Sequence, residues 1–324
     1  MTQMKAAVVH SPGGPEALQL EMRPIPAPRP GWVLIRVRAF GVNRAEMFTR
    51  QGHSPGVVFP RIIGIEAVGT VAASTGTFTE GETVATVMGG MGRDFDGGYA
   101  EYTLVPEDNV KPLASALPWD VLGALPELVQ TAWGSLTSAL RAASGQTLLI
   151  RGGTTSVGLT AAILAKRMGL HVIATSRSAA RRDLLMANGA DEVLIDTGSI
   201  SDALRALHPK GVDKVLELVG ATTLIDSLAC TAPGGSVCMT GIVGNAWELA
   251  RFAPMTDIPS TVNLTAYSGT ALDFMATPLQ DVIADVEAGR LAVPIGRVFR
   301  LDEIVEAHRL MDTNAAGGKI VVVT

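Results

Sequence analysis

The stretch LLIRGGTTSVGLTAAILAKRMG, residues 148–169, carries the residues whose types and spacing point most directly to chemistry. An apolar strand runs into a turn of small residues and then into a helix. That is the arrangement in which a dinucleotide fold holds a pyrophosphate on a helix N-terminus. The fingerprint is degenerate, because Gly153-x-Thr155-x-x-Gly158 has threonine at its middle place. Gly153 permits a tight turn and Gly158 lets the helix pack closely on the strand, whereas Thr155 hinders backbone approach. In exchange, Thr154, Thr155 and Ser156 offer hydroxyls to a phosphate, and Val157 lies in the same first helical turn. The plainer reading is an ordinary glycine-rich strand-to-helix connection.

The end of the next strand adds to this. An NAD site places Asp or Glu about 20 residues after the turn to bind the ribose 2′-hydroxyl. Here that stretch reads Thr175-Ser176-Arg177-Ser178, followed by Arg181 and Arg182, with no acid. Hydroxyls and guanidinium groups suit the 2′-phosphate of NADP instead. The alternative is a solvated helix start with its charges in water.

The elements that must position these residues can be read from the hydrophobic rhythm. Residues 1–122 are β-rich, with strands at 32–43, 65–73 and 82–88 separated by Gly, Pro and Ser-Thr turns, which suggests a small barrel. The segment RPIPAPRPG, 23–31, is a surface connection. From residue 123 strands alternate with helices: strands at 146–150, 171–176, 192–196, 213–220 and 235–242, and helices at 156–168, 178–188, 200–207 and 222–230. That alternation predicts a parallel, doubly wound sheet, with 262–269 as a further edge strand. Past 269 the rhythm breaks again, and helices at 278–288 and 302–311 with strands at 295–299 and 319–324 return to the first domain. The expected fold is therefore α/β, with a Rossmann domain, 123–269, inserted between 1–122 and 270–324.

Composition narrows the function. At 324 residues, 47% hydrophobic and 18% charged, the chain is long and apolar enough for two folded domains. A net charge of −5 argues against a nucleic-acid groove or an anionic membrane surface. Two cysteines, Cys230 and Cys238, build neither a disulfide framework nor a cysteine-rich zinc lobe, and point to a reducing, cytoplasmic setting. The opening MTQMKAAVVH reads as a first strand rather than a secretory signal, and no uninterrupted span of about 20 apolar residues predicts a membrane helix.

Several further segments, in order, carry a resemblance. AFGVNRAEMFTRQG (39–52), FPRIIGIEAVGTV (59–71), FDGGYAEYTLVP (95–106) and AAGGKIVV (315–322) are similar to the medium-chain dehydrogenase/reductase superfamily, in its zinc-independent quinone oxidoreductase branch. The resemblance spans nearly the whole chain. It implies a GroES-like substrate domain of β-barrel type around the Rossmann domain, NADPH in a cleft, and a homodimer joined through the 262–269 edge. It also implies that Thr131, Leu218, Val219, Gly241, Ile242, Val243, Tyr267, Ser268, Gly269 and Lys319 lie near the cofactor. For Leu218-Val219 and Gly241-Ile242-Val243 the strand reading agrees, because ligands gather at the carboxyl ends of parallel strands. Lys319 has a second reading as a surface lysine.

The metal question is settled residue by residue. Zinc-dependent relatives need a Cys in the place that falls within Asn43–Glu46, and a His where this chain has Ile65. Isoleucine cannot ligate, and His53 alone is no site. We therefore expect no metal, and without a Lewis acid the favoured acceptors delocalise charge: quinones or α,β-unsaturated carbonyls. The developing oxyanion benefits from a donor, for which Asn43 is the candidate; its other reading is the cap of the next helix. Some relatives carry a tyrosine where this chain has Phe48. Glu46 and Glu66 are expected to form ion pairs with Arg44 or Arg50, and Tyr99 to pack. The rival readings are an enoyl-thioester reductase on the same fold and a non-catalytic NADPH-binding regulatory protein.

Overall fold

The computed structural model describes residues 2–324. The chain divides into two compact units: the residues up to Gln130 together with Gly269–Thr324, and Thr131–Ser268. The change of rhythm at 122/123 falls somewhat earlier, because residues 123–130 still belong to the first unit: Glu127 N donates to Glu66 at 3.0 Å and Gln130 Nε2 to the Thr270 carbonyl at 2.8 Å.

In the first part of the chain, β1 (Gln3–Val9), β2 (Leu18–Pro24), β3 (Trp32–Val42), β4 (Arg61–Ile62), β5 (Glu66–Ser74), β6 (Thr83–Val87), β7 (Tyr102–Pro106) and β8 (Val110–Pro112) are joined by α1 (Arg44–Arg50), α2 (Trp119–Leu122) and α3 (Pro126–Gly134). The second unit holds β9 (Thr147–Arg151), β10 (His171–Ser176), β11 (Glu192–Ile195), β12 (Val212–Glu217), β13 (Thr231–Met239) and β14 (Asn263–Ala266), with α4 (Ser156–Arg167), α5 (Arg182–Ala187), α6 (Ser201–Leu207), α7 (Ala221–Ala229) and α8 (Pro254–Asp257). The chain ends through α9 (Ala271–Ala276), α10 (Leu279–Glu287), β15 (Ile295–Arg300), α11 (Ile304–Asp312) and β16 (Lys319–Val323).

In the first unit, β2-β1-β4 form one sheet and β15-β16-β3-β5-β6-β8 another, with β7 also on β3. The C-terminal strand pairs antiparallel with β3, Ile320 beside Val42, and that register brings Lys319 next to Asn43. Val33, Ile35, Val37, Phe40, Val42, Ile320 and Val322 join one apolar core with Val8, Ile63, Tyr99 and Ile304.

The second unit is a six-stranded sheet in the order β11-β10-β9-β12-β13-β14, parallel at every pairing. This is the doubly wound Rossmann order, whose direction reverses between β9 and β12. Its strands are apolar on both faces because helices cover both. Leu149, Ile173, Val215 and Val237 pack with Ile200 and Leu204 at α6 and Leu224 and Leu228 of α7, whereas Ala174 and Val193 pack with Leu159 and Leu185 of α4 and α5 on the other side. The expected strand over 213–220 ends at Glu217, and the one over 235–242 runs from Thr231 to Met239, so Leu218–Gly220 and Thr240–Ile242 are loop. The helix expected over 178–188 is a short 3-10 turn, Ala179–Arg181, running into α5.

Candidate functional site

The turn after β9 lies at the switch point of the parallel sheet, where doubly wound folds take their ligands. Gly152 rather than Gly153 adopts the left-handed conformation, φ +82°, that L side chains avoid. The turn is stitched to β10: Gly152 N donates to Thr175 Oγ1 at 3.0 Å and Gly153 N to the Thr175 carbonyl at 3.1 Å. A Cβ on Gly158 would stand 2.7 Å from the Gly152 carbonyl oxygen, so the helix can approach the turn this closely only with glycine there.

Thr155 caps α4. Its hydroxyl accepts from Gly158 N at 3.0 Å and donates to the Gly152 carbonyl at 2.9 Å. It is therefore committed to the turn and does not offer the phosphate donor expected of it. Thr154 and Ser156 remain partly exposed. The N–H groups of Ser156 and Val157, at the start of α4, have no carbonyl four residues back to bond within the helix. Two N–H groups and two partly exposed hydroxyls thus lie together at the start of α4.

At the end of β10, Ser176 folds the chain back on itself, its hydroxyl accepting from Ser178 N at 3.1 Å and donating to the Ser178 carbonyl at 3.0 Å. This sets Arg177 on the surface, with Arg181 exposed one turn further on. Arg182 instead donates to the Val193 carbonyl at 3.2 Å. Thr175, Ser176, Arg177 and Arg181 thus stand at the carboxyl end of β10; Asp196, whose N–H donates to the Ser176 carbonyl at 2.8 Å, has its carboxylate bound to Arg151.

The loops that follow the next strands are interlocked. Leu218 N donates to the Arg151 carbonyl at 3.1 Å, Val243 N to the Leu218 carbonyl at 3.1 Å and Gly244 N to the Val219 carbonyl at 2.8 Å. Glu217, buried, accepts from Val219 N at 2.7 Å and Gly220 N at 2.9 Å. Burial pushes its carboxyl up, against those N–H bonds, the Ser227 hydroxyl and Arg151. The Tyr267 phenol lies over Gly134, where any Cβ would clash with it. Leu218, Val219, Gly241, Ile242, Val243, Tyr267 and Ser268 are in this way gathered at one edge of the sheet. Thr131 stands on α3, its carbonyl accepting from Ser135 Oγ at 2.7 Å, and Gly269 falls in the other unit.

Sequence reading missed the footing of the turn. Arg151, wholly buried, donates to Asp196 at 2.7 and 2.9 Å, to Asp226 at 2.5 Å and to the Gly198 carbonyl at 3.0 Å. Burial pulls the Asp226 carboxyl up, but the Ile200 N–H, Ser199, Ser201 and Arg151 outweigh it and hold the group at about 2. The signal was present: an arginine closing an otherwise apolar strand must find buried carboxylates.

In the first unit, Asn43, Glu46, Glu66, Glu127 and Lys319 form one buried polar cluster. The Lys319 ammonium lies 3.0 Å from Glu66 and 3.1 Å from Glu127 and donates to the Asn43 carbonyl oxygen. The Asn43 amide donates to Glu46 at 3.2 Å and to Glu66 at 3.0 Å. The other Glu66 oxygen accepts from Glu127 N, in the first turn of α3, at 3.0 Å. Burial alone would lower the Lys319 ammonium, but Glu66 and Glu127 hold it above the ordinary lysine range. Burial, with Glu66 adding to it, pushes Glu46 up to about 8 against the Ile65 N–H and Lys319.

This corrects two expectations. Glu66 and Glu46 do not pair with Arg44 or Arg50; Arg50 binds Asp312 at 2.8 Å and Arg44 donates to Asn314 at 2.5 Å. Lys319 is no surface lysine: its ammonium is directed to Asn43, Glu66 and Glu127. Asn43 is the N-cap of α1 in a capping box with Glu46, both amide hydrogens spent on carboxylates. Ile65 and Phe48 are buried, His53 is exposed, and Tyr99 stacks on Phe40 with ring centroids 4.6 Å apart. Among the described residues no helix is long and apolar enough to cross a membrane.

Comparison with known proteins places this geometry in a family. Residues 29–115 match the alcohol dehydrogenase GroES-like domain and residues 188–322 the zinc-binding dehydrogenase domain. The chain is 30% identical to the quinone oxidoreductase of Sus scrofa over 98% of its own length and 97% of that protein, and 28% identical to prostaglandin reductase-3 of Mus musculus over 99% and 89%. A mycobacterial protein solved in complex with NADPH superposes with a TM-score of 0.88 at 26% identity, covering 99% of this chain and 100% of that one. The chain shares its fold with that NADPH-bound protein, and the family match supports a nicotinamide dinucleotide as cofactor. The chain belongs to the medium-chain dehydrogenase/reductase superfamily, in its quinone oxidoreductase branch, and is an oxidoreductase acting on a small-molecule substrate.

Proposed function

We propose that the enzyme transfers hydride from NADPH to a quinone or an α,β-unsaturated carbonyl, without zinc. One observation carries the cofactor choice. The carboxyl end of β10 presents Ser176, Arg177 and Arg181, both arginines exposed, where an NAD enzyme places a carboxylate. A 2′-phosphate there would meet guanidinium donors in fork geometry, whereas a bare 2′-hydroxyl would lack the carboxylate partner that an NAD enzyme supplies.

Bound NADPH supplies the hydride; the chain binds and orients. N–H groups of Ser156 and Val157, with the hydroxyls of Thr154 and Ser156, would hold the pyrophosphate. The interlocked loops Leu218–Gly220 and Gly241–Gly244, with Tyr267 and Ser268, would hold the nicotinamide half. Asn43 and Lys319 act as positioning residues through Glu66 rather than as donors to substrate. The donor set at 43–46 and 65 contains no sulfur or imidazole, and Asn43 and Glu46 are already engaged, which supports chemistry that needs no Lewis acid. Acceptors that spread charge into an enolate or hydroquinone anion fit such a site. We further propose that the enzyme is a homodimer joined through the exposed edge strand β14.

The test is oxidation of NADPH and NADH, with chelator present, by a quinone, an enal, a simple aldehyde and an enoyl thioester. NADPH-preferring turnover with the quinone or enal supports the reading. Preference for NADH overturns the cofactor choice, and selective turnover of the thioester moves the substrate to the rival class.

A further inference from the structure

At the other edge of the Rossmann sheet, away from the nucleotide turn, three side chains with no part in the proposed chemistry converge. His171 opens β10, Glu192 opens β11 and His208 directly follows α6. In the parallel pairing of β10 with β11, Ile173 stands beside Glu192, so His171, two residues earlier, projects to the same face. That face is the one α6 covers, since Ile173 and Leu204 share a core. The fold therefore delivers two imidazoles and one carboxylate to one point from three separate elements.

The donor atoms lie close enough to close around one ion. His171 Nε2 lies 2.6 Å and His208 Nε2 3.2 Å from the Glu192 carboxylate. One donor atom from each residue falls within 4.8 Å of the other two. Ligands held by a single zinc ion at about 2.0–2.1 Å stand about 3.3 Å apart at tetrahedral angles. Opening the His171–Glu192 contact and adjusting the two imidazoles, whose ring centroids are 6.2 Å apart, brings the three donors to that spacing. The side chains are 43%, 33% and 24% exposed for His171, Glu192 and His208, so the point is open to solvent and to a water as fourth ligand. The remaining His171 nitrogen, Nδ1, faces Asp191 at 3.7 Å, where a carboxylate orients a ligating imidazole.

We propose that His171, Glu192 and His208 form a binding site for a divalent transition-metal ion, with zinc the ion that this donor set suits best. Two imidazoles and a carboxylate favour zinc and its neighbours over magnesium or calcium, which take oxygen ligands. The ion ties α6 to the amino ends of β10 and β11. It is a clamp on the Rossmann unit and takes no part in hydride transfer.

The experiment uses the full chain, free of any affinity tag and stripped with chelator. Zinc chloride should bind in one equivalent and raise the unfolding midpoint, cobalt(II) should give ligand-field absorption in the visible, and magnesium should do neither. His171→Ala and His208→Ala should each weaken zinc binding at least tenfold, and His53→Ala should leave it unchanged. NADPH oxidation at the parent's rate shows that each variant is folded. The proposal is overturned if the parent binds no stoichiometric zinc, or if binding survives in the His171→Ala/His208→Ala double variant.

Discussion

Lys319 and Glu66 form an ion pair of 3.0 Å in which neither side chain is more than 2% exposed. The space for it comes from Gly41 of β3, where a Cβ would stand 2.2 Å from Lys319 Cε and 2.3 Å from a Glu66 oxygen. Removing Lys319 strands Glu66 without water, whereas removing Glu66 leaves Lys319 with Glu127 at 3.1 Å. Lys319→Met should therefore lower the unfolding free energy by about 3–5 kcal/mol, and Glu66→Gln by less. The double variant should lose less than the sum of the two, a coupling that urea unfolding of the four proteins measures. Additive losses would show that the pair is no energetic unit.

Thr155 tests whether the degenerate fingerprint uses its hydroxyl for the fold or for phosphate. Thr155→Ala removes the cap on Gly158 N and should cost about 1 kcal/mol of stability, with Kd for NADPH changing less than threefold. A tenfold loss of affinity at unchanged stability would return Thr155 to the phosphate. Gly158→Ala is the harsher change, because its Cβ meets backbone oxygens that cannot swing away; the expected loss is about 1–3 kcal/mol.

Much of this was legible along the chain, for physical reasons. The Rossmann strands are apolar on both faces and separated by helices of ordinary length, so the period alone located them. Strand ends were less legible: Leu218 and Ile242 continue apolar runs, and what stops β12 and β13 before them is the bonding of the following N–H groups to Glu217 and Leu218. The arginines at 177 and 181 were visible because the local chain exposes them. Lys319 was not, since its partners lie in β5 and α3, and only the β16–β3 register sets it against Asn43. A glycine inside a strand, Gly41, was the one local mark of that close approach. The His171–Glu192–His208 convergence left no mark at all, its residues being spaced by elements rather than by a motif.

If β14 joins two copies, its edge is the place to break them. Leu264 is partly exposed on the outermost strand, and Thr265 pairs with Cys238 on the inner side. Leu264→Lys sets a charge on that edge, one of the devices that keep sheet edges apart. Sedimentation should show the parent as a dimer and the variant shifted to monomer. A monomeric parent ends this proposal.

Arg177→Ala and Arg181→Ala address the 2′-phosphate. Each removes a charge-assisted contact worth about 1.5–3 kcal/mol, so KM for NADPH should rise about tenfold or more. KM for NADH, which has no phosphate there, should move less than twofold. Equal effects on both cofactors would mean that the arginines act on something common to them, such as the pyrophosphate.

Two buried groups set opposite pH slopes on the first unit. His308, fully buried with Nε2 3.0 Å from the Tyr99 hydroxyl, is pulled down to about 3 by burial and then by Arg50, from an ordinary 6.5. Between those values the unfolded chain binds the proton that the folded one refuses, so this group removes stability as pH falls from 6.5 towards 3. Glu46 does the reverse: raised from 4.5 to about 8, it keeps its full contribution below 4.5 and loses it as pH rises through 8. Each slope is at most about 1.4 kcal/mol per pH unit. From 4.5 to 6.5 the two oppose each other, which gives a plateau flanked by losses on both sides. The difference in unfolding free energy between the parent and His308→Gln should therefore change with pH only below about 6.5, and that for Glu46→Gln only above about 4.5. A pH-independent difference for either variant would mean that its group does not change protonation on unfolding in that window.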